Sequence, residues 1–451
     1  MASQAVDMGE ATPDVVDWVS SVAFDDLPAP VVRAARRCLL DLIGVAAAGI
    51  ATANARILRE HVARHYGPGE RGARMLFDGR RVSLPGAAMA GATTIDSFDA
   101  HDGHKLTKGH VGVVVLPALL VFTDEVARSD GPEFLTRFVI GYEIGTRAGI
   151  ALHASVPDYH TSGAWNALAA AAIGARALGL DRERTRHALG AAEYYGPRSQ
   201  MMRCIDHPTM VKDGATYGAQ VGVTAVLLAA DGFTGAPAVT VEDAGVAALW
   251  TDFGRRWRIT EQYLKAYPVC RWAQPPVEAA RSLLPAIAGR SIGALRIVTF
   301  HESKRLVNVM PATTEEAQYA VAFPVAAMLL RGRLDSWTVT GELADAELGA
   351  LVARTELVES EAYNARFPAE RWAHVAVVLE DGTVLNSEPH QARGDPEAPL
   401  SDGEVEAKFE ALAGPVLGPR RASAIETLVA GLPATAPAEL LDAILAPTQT
   451  T

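Results

Sequence analysis

Asp96-Ser-Phe-Asp-Ala-His-Asp-Gly-His-Lys-Leu-Thr-Lys-Gly-His110 sets three Asp, three His and two Lys into fifteen residues. Apolar, small-residue sequence flanks it: Leu84-Pro-Gly-Ala-Ala-Met-Ala-Gly91 before, Val111-Gly-Val-Val-Val-Leu-Pro-Ala-Leu-Leu120 after. Both flanks read as core helices. Charge this dense between buried flanks is costly unless the groups pair, bind a metal or face a cleft. The competing reading is a solvated loop between two helices. The flanks argue against it, because a surface loop need not sit between two runs of core.

Outward from this stretch the pattern stays helical. Two helices are predicted over 13–49, the second opened by Pro30, and another over 54–66. A small hairpin is expected around Asp78-Gly79. Small-residue helices follow over 85–95, 114–127, 131–153 and 164–178, then 181–195 with Asp181 as N-cap, and 215–230. The segments 157–163 and 196–213 break the helical pattern. After Pro268 the character changes. Ala294-Leu-Arg-Ile-Val-Thr-Phe-His301 alternates as a strand, and 372–385 reads as a hairpin turning at Asp381-Gly382. A helix is predicted over 314–330, capped by Thr313 or Thr314. Helices return at 402–413 and 419–431. The expectation is a mainly α protein: an all-helical domain of residues 1–268 plus 400–451, with a smaller α+β lid domain inserted at 269–399.

A net charge of −12 argues against nucleic acid as partner. The first ten residues lack a basic and apolar leader, so no signal peptide is expected, and no apolar run is long enough to span a bilayer. Cys38, Cys204 and Cys270 are too scattered for a disulfide framework or a zinc site, which fits the cytoplasm. Phosphate-binding and nucleophile-elbow motifs are absent.

Within the opening stretch, Asp99, His101, Asp102, His104 and His110 match no tight metal spacing, so no metal is expected. Acid–base work is the better reading, since a His oriented by an Asp titrates near neutrality. Three further segments put a polar group in a break between small-residue helices: His160, Lys212 and Lys265. Each alone reads better as an ordinary loop histidine or surface lysine.

Taken together, these segments resemble the MmgE/PrpD family, which includes 2-methylcitrate dehydratase, cis-aconitate decarboxylase and iminodisuccinate epimerase. The matching stretches are Asp99-Ala-His-Asp102 with His110, Gly141-Tyr-Glu-Ile with Arg147, His160-Thr-Ser-Gly163, Met210-Val-Lys212, Lys265-Ala-Tyr-Pro-Val-Cys270 and Pro311–Tyr319. The resemblance implies a homodimer without cofactor, and a site at the domain junction for small di- or tricarboxylates. It assigns the catalytic site to Asp99, His110, His160, Lys212, Lys265 and Tyr319. Asp102, His104, Lys108 and Arg271 are the candidate substrate-binding residues. The chain departs from the family pattern at Gly103, where relatives carry a Thr-like residue, at Gln274, where they often carry His, and by one inserted residue near His110.

The expected function is a cofactor-free lyase dehydrating a 2-hydroxy polycarboxylate. Removing a proton next to a carboxylate makes a dianion, which cations in a desolvated cleft stabilise. Decarboxylation and epimerisation share that step and stand as alternatives. A non-catalytic carboxylate-binding dimer is the reading from another class.

Overall fold

In the computed structural model, which describes residues 14–125 and 129–448, helices dominate and strands form only two small sheets. The leader reading falls on residues 1–13, outside the described residues. Small side chains explain the helical packing. The helices Gly163–Leu178 and Ala215–Ala230 approach so closely that a Cβ on Gly222 would lie 2.3 Å from the Ala167 carbonyl oxygen. Leu84–Asp96 and Gly112–Glu125 pack beside them, and Gly131–Ser155 is buried at Gly131 and from Phe134 to Leu152. The C-terminal helix Asp402–Leu417 lies against Ala29–Gly49, with Phe409 over Gly44. Side-chain caps open several helices: Ser83 accepts from Gly86 N, Asp181 from Arg184 N, and Ser401 with Glu404 forms a capping box.

The first hairpin pairs β1 (Gly72–Arg74) with β2 (Arg81–Ser83), turning through Gly79 at φ +80°. The second sheet belongs to the α+β part. It contains β3 (Ile292–Thr299), β4 (Thr355–Glu359), β5 (His374–Leu379) and β6 (Val384–Asn386), in the order β4-β3-β5-β6. β3 runs parallel to β4 and antiparallel to β5, and the β5–β6 turn carries Gly382 at φ +85°. β4 carried no alternation clear enough to read from sequence.

One helix differs from its prediction in a way that matters. The single helix expected over 314–330 is two: Thr314–Gln318 and Ala322–Arg331. The chain leaves helical geometry because Tyr319 O accepts from Val307 N (2.9 Å) and Val321 N donates to Val307 O (3.0 Å). The break turns Gln318 and Tyr319 inward, where both are buried. Among the described residues no single helix is long and apolar enough to cross a membrane.

Candidate active site

The polar loop Ser97–Val111 enters the interior between the helices Leu84–Asp96 and Gly112–Glu125. It meets two segments from elsewhere in the chain. Gly103 and Tyr263 exchange backbone hydrogen bonds (2.8 and 3.1 Å), and Leu264 N donates to Gly394 O (3.0 Å). These bonds hold Lys265 against the loop. The strip leading to Lys265 is anchored in turn by the Gly141–Arg147 motif. Glu143 accepts from Ile259 N, and buried Arg147 bonds Glu143 (3.2 Å) and Asp252 (2.7 Å). That motif therefore positions the site rather than lining it.

The cleft is lined by Asp99, Lys108, His110, Tyr159, Tyr263, Lys265, Arg271, Tyr319 and Arg371, among others, around about 20 Å³ of space. Lys265 is fully buried and its Nζ lies 2.5 Å from Asp99 Oδ1. Burial alone would raise the Asp99 pKa, but Lys265 and Lys212 hold it well below the usual carboxylate range. Lys212 Nζ donates to Gln318 Oε1 (2.8 Å), which also accepts from Asp99 N (2.8 Å), and it stands 4.8 Å from the centre of the Tyr319 ring. Lys108 and Lys212 both adopt left-handed backbone, at φ +51° and +47°. Such strain costs of order 1–3 kcal/mol per residue and clusters at functional sites.

His110 Nδ1 lies 2.6 Å from the Asp102 carbonyl oxygen. A carbonyl only accepts, so Nδ1 carries the proton and Nε2 is left as an acceptor. The His110 N–H donates to Ser162 Oγ (2.8 Å), and Ser162 donates to Asp213 (2.5 Å). Burial, then Lys265 and His101, push the His110 pKa well below its ordinary value, so the ring rests neutral. His101 stands edge-on to His110, with ring centres 4.4 Å apart, and 3.5 Å from Asp96; burial and Lys265 lower its pKa to about 3. Burial raises Asp96 to about 6, against the pull of Lys212.

Of the ten residues singled out from sequence, Asp99, Lys108, His110, Lys265, Arg271 and Tyr319 line the cleft. Lys212 lines a neighbouring cavity and is joined to Asp99 through Gln318, with its Nζ over the Tyr319 ring. Three are placed differently. His104 points away, to Glu261 (3.0 Å), within a cluster with Arg256 and Arg258. Its position fits a structural ion-pair network. The Asp102 carboxylate faces the back of the loop beside Tyr142 and Cys38; burial raises its pKa to about 7, and only its main-chain oxygen serves His110. His160 stands outside the cleft wall, where its neighbour Tyr159 takes the place, and its N–H donates to His153 Nε2 (3.2 Å). His160 and Lys212 nevertheless share one face, because Gly163 N donates to Asp213 O (3.2 Å).

Sequence reading missed Gln318, Tyr263 and Arg371. Gln318 falls inside what read as a continuous helix, and Arg371 sits alone before a hairpin, so neither carried a pattern. The departures from the family have local causes. A Cβ at Gly103 would lie 2.4 Å from Tyr263 Oη and 2.7 Å from His110 Nδ1, so the Tyr263 phenol occupies the space a larger residue needs. Gln274 donates to the Tyr267 and Val269 carbonyls (3.1 Å each) and accepts from Arg271 (3.1 Å), fixing that turn. Among the described residues no three His, Cys, Asp or Glu side chains converge to hold a metal.

Fold and cleft define a mainly helical protein with an α+β part and a buried, cation-lined cleft built from loops far apart in sequence. The chain belongs to the MmgE/PrpD family: the MmgE/PrpD N-terminal domain matches residues 14–255 and the MmgE/PrpD C-terminal domain residues 267–433. It is 24% identical to the cis-aconitate decarboxylase-like protein oryM of Aspergillus oryzae, over 97% of both chains. It is also 24% identical to the cis-aconitate decarboxylase of Aspergillus terreus, over 93% of both.

Proposed function

We propose that this chain is a cofactor-free lyase that moves a proton at a carbon next to a carboxylate of a small polycarboxylate. The observation that carries the reading is the meeting of the Lys265–Asp99 pair and the free Nε2 of His110 at one buried cleft, with Lys212 joined to Asp99 through Gln318. A substrate carboxylate beside Lys265 and Lys212 gains a dianionic form stabilised by fixed cations in a low dielectric. Neutral His110 accepts the proton at Nε2. The imidazolium so formed then delivers it to a departing hydroxyl, which leaves as water, and the carbon–carbon double bond forms. Dehydration of a 2-hydroxy polycarboxylate is therefore the reading the resting site supports best.

Decarboxylation is the second reading, supported by the relatives named as cis-aconitate decarboxylases. There the bond to a carboxylate carbon breaks, CO₂ leaves, and the remaining electron pair takes a proton at carbon. His110 would have to enter that reaction charged, which the negative charge of a bound polycarboxylate favours. Either substrate needs the cleft to open, because about 20 Å³ admits only a water or so.

Proton NMR in D₂O with a panel of 2-hydroxy and unsaturated tricarboxylates tests the reading. Deuterium entering a carbon next to a carboxylate, with loss of water or of CO₂, is the expected outcome and separates the two reactions. Binding without exchange or turnover across the panel would leave a carboxylate-binding protein instead.

A further inference from the structure

We propose that Arg371, with Lys108 across the cleft, forms a seat for a second carboxylate, so that the ligand must carry two. The inference rests on the polycarboxylate reading and adds where the non-reacting carboxylate goes. Arg371 is only 6% exposed and lines the cleft from the α+β part. Its Nε and Nη1 are buried and have no hydrogen-bond partner among the described residues. The side chain's ring contact is Phe367, 5.9 Å from the guanidinium carbon, at the outer limit for a cation over an aromatic face. Glu370, its chain neighbour, is engaged with Arg366 and the Trp372 indole N–H. A guanidinium desolvated to this degree without an anion is costly.

The other cations of the cleft are already matched. Lys265 has Asp99, and Arg271 has Asp395 at 2.5 Å. Among the described residues Lys108 has no acid within bonding distance. Its Nζ lies over the Tyr159 ring at 4.6 Å, its pKa is lowered by burial and by the field of Arg371, and Glu302 is the acid whose field opposes this. Arg371 and Lys108 thus bring to one cleft two cations without an ion-pair partner among the described residues, one from the α+β part and one from the loop Ser97–Val111. A guanidinium fork accepts a carboxylate through two parallel hydrogen bonds, and a lysine adds a point charge to the same group. Tyr159 and Tyr263 line the cleft with these cations and with Lys265. A carboxylate held by Arg371 and Lys108 also ties the α+β wall to the helical wall, so binding and closure are one event.

Calorimetric titration with glutarate and with its half-amide, glutaramate, separates charge from shape. Wild-type protein is expected to favour glutarate by about tenfold or more. Arg371→Met should weaken glutarate binding by about 30-fold or more, the loss seen when a buried charged partner is truncated. It should leave glutaramate within about threefold, collapsing the ratio, while Arg371→Lys keeps part of it. Equal affinity of wild type for the two ligands overturns the seat without any variant having to fold. So does an equal loss for both ligands in Arg371→Met, or no loss for glutarate. The readout is binding, so it stands apart from the chemistry. Arg371-dependent discrimination without deuterium exchange removes the lyase reading and keeps the seat; exchange with no discrimination does the reverse.

Discussion

The two walls of the cleft are built on different principles. On the helical wall the groups at the reacting end are held by partners, with His110 Nε2 left free. Asp99 has Lys265 and Gln318 around it, His110 is fixed through Nδ1 and its own N–H, and Ser162 is held by Asp213. The opposite wall brings Arg371, whose guanidinium has two unsatisfied nitrogens. A pre-paired wall costs no reorganisation when charge develops, which is what a reacting centre needs. An unpaired cation is a cost of the free protein that a ligand relieves. On the proposed roles, variants of the pre-paired groups and of Arg371 should fail in different ways.

The largest effect belongs to Lys265→Met. It strands the Asp99 carboxylate in the interior, so stability should fall by about 3–5 kcal/mol in chemical denaturation. The double variant Lys265→Met/Asp99→Asn should recover most of that stability and none of the turnover. A double variant as unstable as the single one would show that the pair is not a closed unit.

His110→Gln comes next. Turnover, or deuterium wash-in, should fall about 10²–10⁴-fold with little change in KM, because an acid–base group acts only in the transition state. A rise in KM with unchanged kcat would move His110 to the recognition side of the comparison.

Asp102→Asn tests the back of the loop through pH. A buried carboxyl raised to about 7 keeps its proton in the folded state while the unfolded chain loses it near 4. The folded state then binds more protons, and its stability falls as pH rises from about 4 to about 7. The Asn variant escapes this loss, so it should gain about 2–3 kcal/mol on wild type between pH 5 and pH 8. The lowered pKa values of His101 and His110 act in the opposite direction, with stability lost as pH falls below their unfolded values, but they are common to both proteins. Parallel stability curves would show that Asp102 is ionised throughout.

His104→Ala should do least to activity. Its ring bonds Glu261 away from the cleft, so kcat/KM should change by less than about threefold, while thermal unfolding registers about 1–3 kcal/mol for the lost buried contact. A hundredfold loss of activity would place the Arg256–Arg258–Glu261 cluster in the reaction.

Much of the fold was legible in the residues. The Ala- and Gly-rich runs forecast close helix packing, and helices such as Gly163–Leu178 and Ala215–Ala230 fall where the periodicity put them. The dense charge of Asp96–His110 between apolar flanks pointed to a cleft, and Asp99 and His110 line one. β4 was not legible, because its five residues are all partly exposed or exposed and its pairing with β3 is parallel and remote in sequence. The break at Tyr319 was not legible either, since its cause is a bridge to Val307 that no local pattern encodes.

The sequence by itself determined which side chains carry charge, which runs must be buried and where most helices lie, because those follow from composition and spacing along a few turns. Only the tertiary structure decided which charges meet. His104 and His110 lie six residues apart in one loop, yet one pairs with Glu261 and the other lines the cleft. Arg371, silent in the sequence, takes a place on the opposite wall. Partnership between charges depends on distance and desolvation in three dimensions, and both are set by contacts between segments hundreds of residues apart.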